Sequence, residues 1–134
     1  MPAGYSGAPL AKKLGLEEGG ALWAKAMPAS VRAEIEQTAQ PRYLARAGKN
    51  LASAHVFVTE AKALEAHLHK LRPLLAPNGQ LWVSWPKKAA KAPTDITEDT
   101  IRKLALPLGY VDVKVCAVDE TWSGLKLVIR KSLR

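Results

Sequence analysis

The stretch that most constrains how this chain can fold is residues 104–131, LALPLGYVDVKVCAVDETWSGLKLVIRK. It reads as the end of a helix, a strand, a tight connection and a closing strand. Val111, Val113, Val115 and Ala117 alternate with Asp112, Lys114, Cys116 and Val118. Leu125, Leu127 and Ile129 alternate with Lys126, Val128 and Arg130. A period of two gives a strand one apolar face. Only the segment from Asp119 to Gly124 joins the two runs, whereas a parallel pair needs a crossover of roughly a dozen residues or more. The pair must therefore be antiparallel. The pattern predicts a uniformly apolar face on both strands, with Trp122 buried over the hairpin's end as an anchor.

Upstream, helical and strand signals alternate. Gly4, Gly7 and Pro9 punctuate an arm over residues 1–19 that holds one short helix, closed by Gly15 just past its end. Gly19-Gly20 releases the chain into a strand at 21–27, and Ser30 is placed to cap a helix at 31–40 that Pro41 stops. Residues 42–46 read as a short strand with basic side chains on one face. The apolar run 54–59 suits a strand covered on both faces. Thr59 is placed to cap a helix at 60–75, where Leu64, Leu68, Leu71 and Leu75 form a core-facing stripe and Pro73 disturbs the last turn. Pro77-Asn78-Gly79 turns the chain into a strand at 80–85. Asp95-Ile96-Thr97-Glu98 has capping-box spacing for a helix at 96–106. Strands alternating with helices imply βαβ units and a mostly parallel sheet. At 134 residues the chain makes one α/β domain.

The run from Leu71 to Trp85, LRPLLAPNGQLWVSW, resembles the later half of the class I methyltransferase fold, where a helix ends in a Pro-Gly-type turn and an apolar strand follows. That resemblance implies a Rossmann-like domain closed by an antiparallel hairpin. A resemblance over nearly the whole chain is to a family of small bacterial proteins known only as a domain of unknown function. It rests on Tyr5-Ser6-Gly7, Leu10-Ala11-Lys12-Lys13-Leu14-Gly15, Trp85-Pro86-Lys87-Lys88, Asp95-Ile96-Thr97-Glu98-Asp99 and Trp122-Ser123-Gly124-Leu125, and it implies no established activity. The departures from the methyltransferase pattern are specific. Those enzymes place a Gly-rich turn after the first strand so that backbone approaches S-adenosylmethionine. Here Ala26-Met27-Pro28-Ala29-Ser30 has no glycine, and residues 42–48 offer no acid to grip the cofactor. Neither G-x-G-x-x-G nor a Walker loop occurs. No cofactor is expected, and a working methyltransferase is not the reading these residues favour.

The formal net charge is +8. Arg42, Arg46 and Lys49 lie in an acid-free segment, as do Lys87, Lys88 and Lys91. Such runs attract polyanions, or simply form a solvated surface. In an open parallel sheet, ligands lie beyond the carboxyl ends of the strands, where Trp85, Lys87 and Lys88 could stack a base and meet its phosphate. The plainer reading is a tryptophan packed over the sheet end beside two solvated lysines. Tyr5, Ser6, Lys12 and Lys13 form a second candidate anion contact, against the reading of a loosely packed terminus. Asp95 and Trp122 complete the candidate ligand-binding set. His67 and His69 point to different faces of a helix, so no metal site is expected. No apolar run approaches the roughly 18 residues of a membrane span, the first residues lack the apolar centre of a secretory signal, and Cys116 is the only cysteine. These features predict a cytoplasmic protein. The function expected is a non-catalytic module that binds a partner or a small anionic ligand. The alternatives are RNA binding through the basic surface and a degenerate methyltransferase-like enzyme.

Overall fold

The computed structural model describes residues 8–134. Its strands are β1 (Ala21–Lys25), β2 (Arg42–Tyr43), β3 (Leu51–Phe57), β4 (Leu75–Pro86), β5 (Tyr110–Ala117) and β6 (Trp122–Ile129). They form one sheet in the order β2-β1-β3-β4-β6-β5. The first four run parallel, and β6 enters antiparallel between β4 and β5. This is the mixed α/β sheet expected, with the C-terminal hairpin closing one edge.

Helices α1 (Leu10–Lys13) and α2 (Ala29–Ile35) cover one face, where Leu10, Leu14, Val31 and Ile35 meet Phe57 and Trp82. Helices α3 (Ala61–Leu71) and α4 (Glu98–Ala105) cover the other, over Val56, Leu81, Val83 and Leu127. The stripe of α3 is Leu64, Leu68 and Leu71. Leu75 instead opens β4, because Pro73 ends the helix rather than bending it. Tyr110 fixes the end of α3 by donating its hydroxyl to the Leu68 carbonyl, 2.7 Å away in the core. The Pro77-Asn78-Gly79 turn lies inside β4 as an excursion: Leu75 pairs with Leu51 and Gln80 with Ser53.

Several helix starts differ from expectation. Pro28, not Ser30, occupies the N-cap of α2, and neither Thr59 nor Glu60 caps α3. The carboxylate of Asp95 accepts the Ala61 N–H at 2.7 Å, and Thr94 donates its hydroxyl to the Thr59 carbonyl at 2.7 Å. The loop after β4 thus folds back to supply the acid that the first turn of α3 lacks. The capping box of α4 lies two residues later than its spacing suggested, at Thr97 and Thr100 rather than Asp95 and Glu98. Thr97 Oγ1 accepts the Thr100 N–H at 3.2 Å and Thr100 Oγ1 accepts the Thr97 N–H at 3.1 Å.

The hairpin carries a correction. Asp112 pairs with Leu127 but Lys114 pairs with Lys126, so Val113 is an extra residue in a bulge. Strand β5 therefore has no uniformly apolar face. Val111 lies opposite Val128 on one side of the sheet, and Val115 lies opposite Leu125 on the other. The bulge leaves Val113 54% and Val115 44% exposed, and it interrupts an edge that would otherwise be a flat template for pairing. It also presents Asp112 to Arg102 of α4, whose Nε donates to the carboxylate at 2.8 Å.

Trp122 is half-buried, set edge-on against Phe57 with centroids 5.2 Å apart. It is a partial anchor. Trp82 is 1% exposed, and its ring crowds Gly124: a Cβ there would lie 3.3 Å from Trp82 Cε3 and 3.0 Å from Val118 Cγ2. Gly124→Ala is expected to destabilise the fold by about 1–3 kcal/mol through overpacking. Trp122→Ala should cost about 1–3 kcal/mol, below the roughly 3–5 kcal/mol of a fully buried ring. Urea denaturation of both variants measures this.

Candidate ligand cleft at the carboxyl ends of the strands

After β1 the chain moves to one side of the sheet and after β3 to the other, so the carboxyl ends of these strands flank the switch point where open α/β sheets bind ligands. Two recesses open at this end. The larger, about 450 Å3, lies at the end of β4 and is lined by Trp85, Lys87, Lys88, Thr94, Ile96 and Glu98 among others. Its floor is apolar because Trp85 and Ile96 belong to the core under α3 and α4. Its rim is basic. Lys87 donates its N–H to the Thr121 carbonyl at 2.7 Å, which ties the rim to the β5–β6 connection. A single 3-10 turn follows at Lys88–Ala90, and Lys91 adopts the left-handed conformation at φ 55° to end it. Glu98 is held by Arg102 at 3.0 Å. Among the described residues, Lys87, Lys88 and Lys91 enter no ion pair. The cleft thus joins an aromatic floor to uncompensated positive charge.

The smaller recess, about 240 Å3, is bounded by Ala24, Met27, Arg32, Tyr43 and Leu44 at the ends of β1 and β2. Arg32 stacks over the Tyr43 ring at 4.0 Å and donates to Glu36 at 2.8 Å. The Tyr43 hydroxyl is buried without a hydrogen-bond partner among the described residues. Burial and the nearby Glu36 carboxylate push its pKa up to about 12. This is where the methyltransferase pattern would put the cofactor, and the residues do not fit it. Ala26 holds the left-handed conformation at φ 61°, the backbone region that favours glycine, yet carries a Cβ there. Pro28 brings no N–H to the turn. The end of β2 presents an arginine-capped phenol where a ribose needs a carboxylate.

Beneath these recesses His55 is 1% exposed, stacked on Phe57 at 4.3 Å, with Nε2 2.7 Å from the Ser84 hydroxyl. Burial pushes its pKa down to about 3. The pair fastens β3 to β4 and opens on neither recess. His67 is half-buried against Trp23, and its pKa is also lowered by burial and by Lys25 and Lys70. Cys116 is half-buried, and its thiol is raised by burial.

Of the residues singled out from sequence, Trp85, Lys87 and Lys88 come together at the cleft. Asp95 does not line it and instead caps α3. Trp122 lies on the opposite face, since it pairs with Pro86 while Trp85 pairs with Ser123. Lys12 and Lys13 sit in the last turn of α1, away from the cleft. Tyr5 and Ser6 lie outside the described residues. Thr94, Ile96 and Glu98 are additions that depend on the return of the 87–97 loop, for which the sequence held no distinct signal. Arg32 and Tyr43 were likewise missed, being brought together by parallel pairing of β1 with β2.

The fold matches solved methyltransferase structures. A SAM dependent methyltransferase from Aquifex aeolicus aligns at 13% identity over 90% of this chain and 87% of that one, with a TM-score of 0.64. The proposed type 11 methyltransferase of Sulfolobus solfataricus aligns at 10% identity over 90% and 89%, with a TM-score of 0.65. The magnesium protoporphyrin IX methyltransferase from Synechocystis PCC 6803, solved with bound SAM, aligns at 13% identity over 90% and 74%, with a TM-score of 0.56. No family model and no curated protein matches the chain. At these identities the likeness establishes a class I methyltransferase-like fold. No helix among the described residues is long and apolar enough to cross a membrane.

The buried histidine sets a pH dependence. The unfolded chain takes up a proton on His55 near pH 6.5, whereas the folded chain resists protonation down to about pH 3. Its contribution is therefore complete above about pH 6.5 and is lost as the pH falls towards 3. Unfolding free energy should drop by roughly 2 kcal/mol between pH 6.5 and 5 on account of His55. In the double variant His55→Phe, Ser84→Ala that share of the slope should disappear, leaving the part due to His67. Urea titrations at several pH values measure it, and an unchanged slope in the variant would assign it to other groups.

Proposed function

We propose that this chain is a non-catalytic derivative of the methyltransferase scaffold that binds a small anionic ligand of nucleotide type in the cleft at the end of β4. The observation that carries this reading is the pairing of a tryptophan floor with Lys87 and Lys88, both free of ion pairs among the described residues, at the strand end where such sheets bind ligands, with Lys91 in the same loop. The aromatic surface suits a base and the lysines suit its phosphates. The segments that resemble the small bacterial family, Trp85-Pro86-Lys87-Lys88 and Asp95 to Asp99, fall on this cleft and on the loop that supports it, which favours it as the working surface of such proteins. Against methyl transfer stand Ala26, Pro28 and the absence of an acid after β2. A cytoplasmic, polyanion-rich setting accords with the charge of +8. RNA binding is favoured by a separate observation: Arg42, Arg46 and Lys49 form a second acid-free basic run in the chain.

Thermal-shift and calorimetric titrations with AMP, ATP, S-adenosylmethionine and oligouridylate separate these readings. A nucleotide is expected to stabilise the fold by about 2.7 kcal/mol at a hundredfold excess over Kd. The triple variant K87A/K88A/K91A should weaken binding about tenfold or more and flatten its salt dependence. Micromolar binding of S-adenosylmethionine would return the chain to the enzyme class. Steeply salt-dependent oligouridylate binding without mononucleotide binding would favour the RNA reading.

A further inference from the structure

A separate cleft of about 390 Å3 lies at the opposite end of the sheet, where β1 and β3 begin and β6 ends. Its lining includes Glu17, Ser53, Asn78, Gln80 and Lys126. Gln80 is 9% exposed, and its amide orientation is set by its neighbours. Nε2 donates one hydrogen to the Leu14 carbonyl at 2.8 Å and the other to Ser53 Oγ at 3.0 Å. Both donors are then spent, and Oε1 is left as an acceptor that no described residue satisfies. Ser53, itself 6% exposed, uses its oxygen to accept from Gln80, so its own proton has no acceptor among the described residues.

The charges on the wall are equally incomplete. Glu17 and Lys126 line the same cleft, yet neither forms an ion pair with the other or with any described residue. The cleft therefore offers two acceptors, Gln80 Oε1 and Glu17, and two donors, the Ser53 hydroxyl and Lys126. A lone phosphate or carboxylate would be repelled by the first pair. A lone amine would be repelled by Lys126. A group with an ammonium and a carboxylate on one carbon satisfies both pairs.

From this arrangement we infer that the cleft binds a free α-amino acid as its zwitterion. The ammonium donates to Gln80 Oε1 and faces Glu17. The carboxylate accepts from Ser53 and faces Lys126. Asn78 and the exposed Ala52 remain for the ligand's side chain. The volume lies in the range of small-molecule sites, roughly 300–1,000 Å3. The site is distinct from the nucleotide cleft, so each can fail without the other.

The test is an NMR titration of the 15N-labelled chain with the standard amino acids, followed on the Gln80 side-chain amide and the Trp82 indole. Saturable shifts with Kd in the millimolar range or below are expected. Acetate and methylamine, the two halves of glycine, should each bind about tenfold or more weakly than the amino acid itself. Glu17→Gln and Lys126→Met should each weaken binding by a similar factor. Ala52→Trp should occlude the cleft while leaving the melting temperature near that of the parent, and K87A/K88A/K91A should bind amino acids unchanged. The inference is overturned by an absence of saturable shifts with every amino acid up to about 10 mM. It is equally overturned if acetate binds as tightly as glycine, or if both charge variants bind like the parent.

Discussion

Much of this structure hangs on one carbonyl oxygen. Leu14 O, at the end of a four-residue helix, accepts hydrogen bonds from Gln80 Nε2 at 2.8 Å and Trp82 Nε1 at 3.0 Å. Both donors are buried on β4, the strand that pairs with both the parallel half of the sheet and the antiparallel hairpin. A helix of one turn has little stability of its own. Docked through these bonds, α1 roofs Trp82 and completes the core on that face. Gly15 makes the geometry feasible: it turns the chain at φ 66°, and a Cβ there would already stand 3.2 Å from Gln80 Oε1. The tryptophan gains a partner for its N–H, which a buried indole needs. Gly124 in turn gives its ring a flat bed.

The opposite face is organised by side chains that bridge distant segments. Arg102 joins Glu98 and Asp99 on its own helix to Asp112 on the edge strand, with the last contact at 2.8 Å. These groups are partly exposed, so the bridge orients α4 over the bulge more than it stabilises the domain. Thr94 and Asp95 do comparable work for the loop after β4, drawing it onto the first turn of α3. That loop shapes the basic cleft. The rim lysines are therefore carried by a segment fixed at both ends, through Lys87 to Thr121 and through Asp95 to Ala61.

The loops at the carboxyl ends of the strands carry residues that the methyltransferase pattern does not call for. The sheet with its antiparallel hairpin makes a methyltransferase-like fold, yet the turn after β1 carries Ala26 and Pro28, and β2 ends in a tyrosine covered by an arginine. A scaffold keeps its topology because the core demands it, while loops can exchange one ligand for another. Trp85, Lys87 and Lys88 at the end of β4 form the surface proposed above to bind a nucleotide. The mixed polar wall around Gln80, proposed above as a second site, is built by the same bonds that hold α1.

By itself the sequence determined the periodic elements and their class. Apolar runs separated by helical stripes, Pro73 at the end of α3, and the short connection before Trp122 required a parallel sheet with an antiparallel end. The missing glycine after β1 and missing acid after β2 were equally legible, because they are local absences. Trp85, Lys87 and Lys88 were readable as a cluster because they are neighbours in the chain. The tertiary structure decided what depends on residues far apart. It set the Asp95 carboxylate on the N–H of Ala61, outside the cleft lining, and it placed Trp122 on the face away from Trp85. It inserted a bulge at Val113 where alternation implied a continuous strand, since an edge strand must both meet Arg102 and resist further pairing. It also oriented Gln80 through a carbonyl 66 residues away. Periodicity records which side chains leave water; it does not record which distant polar atoms they will meet when they do.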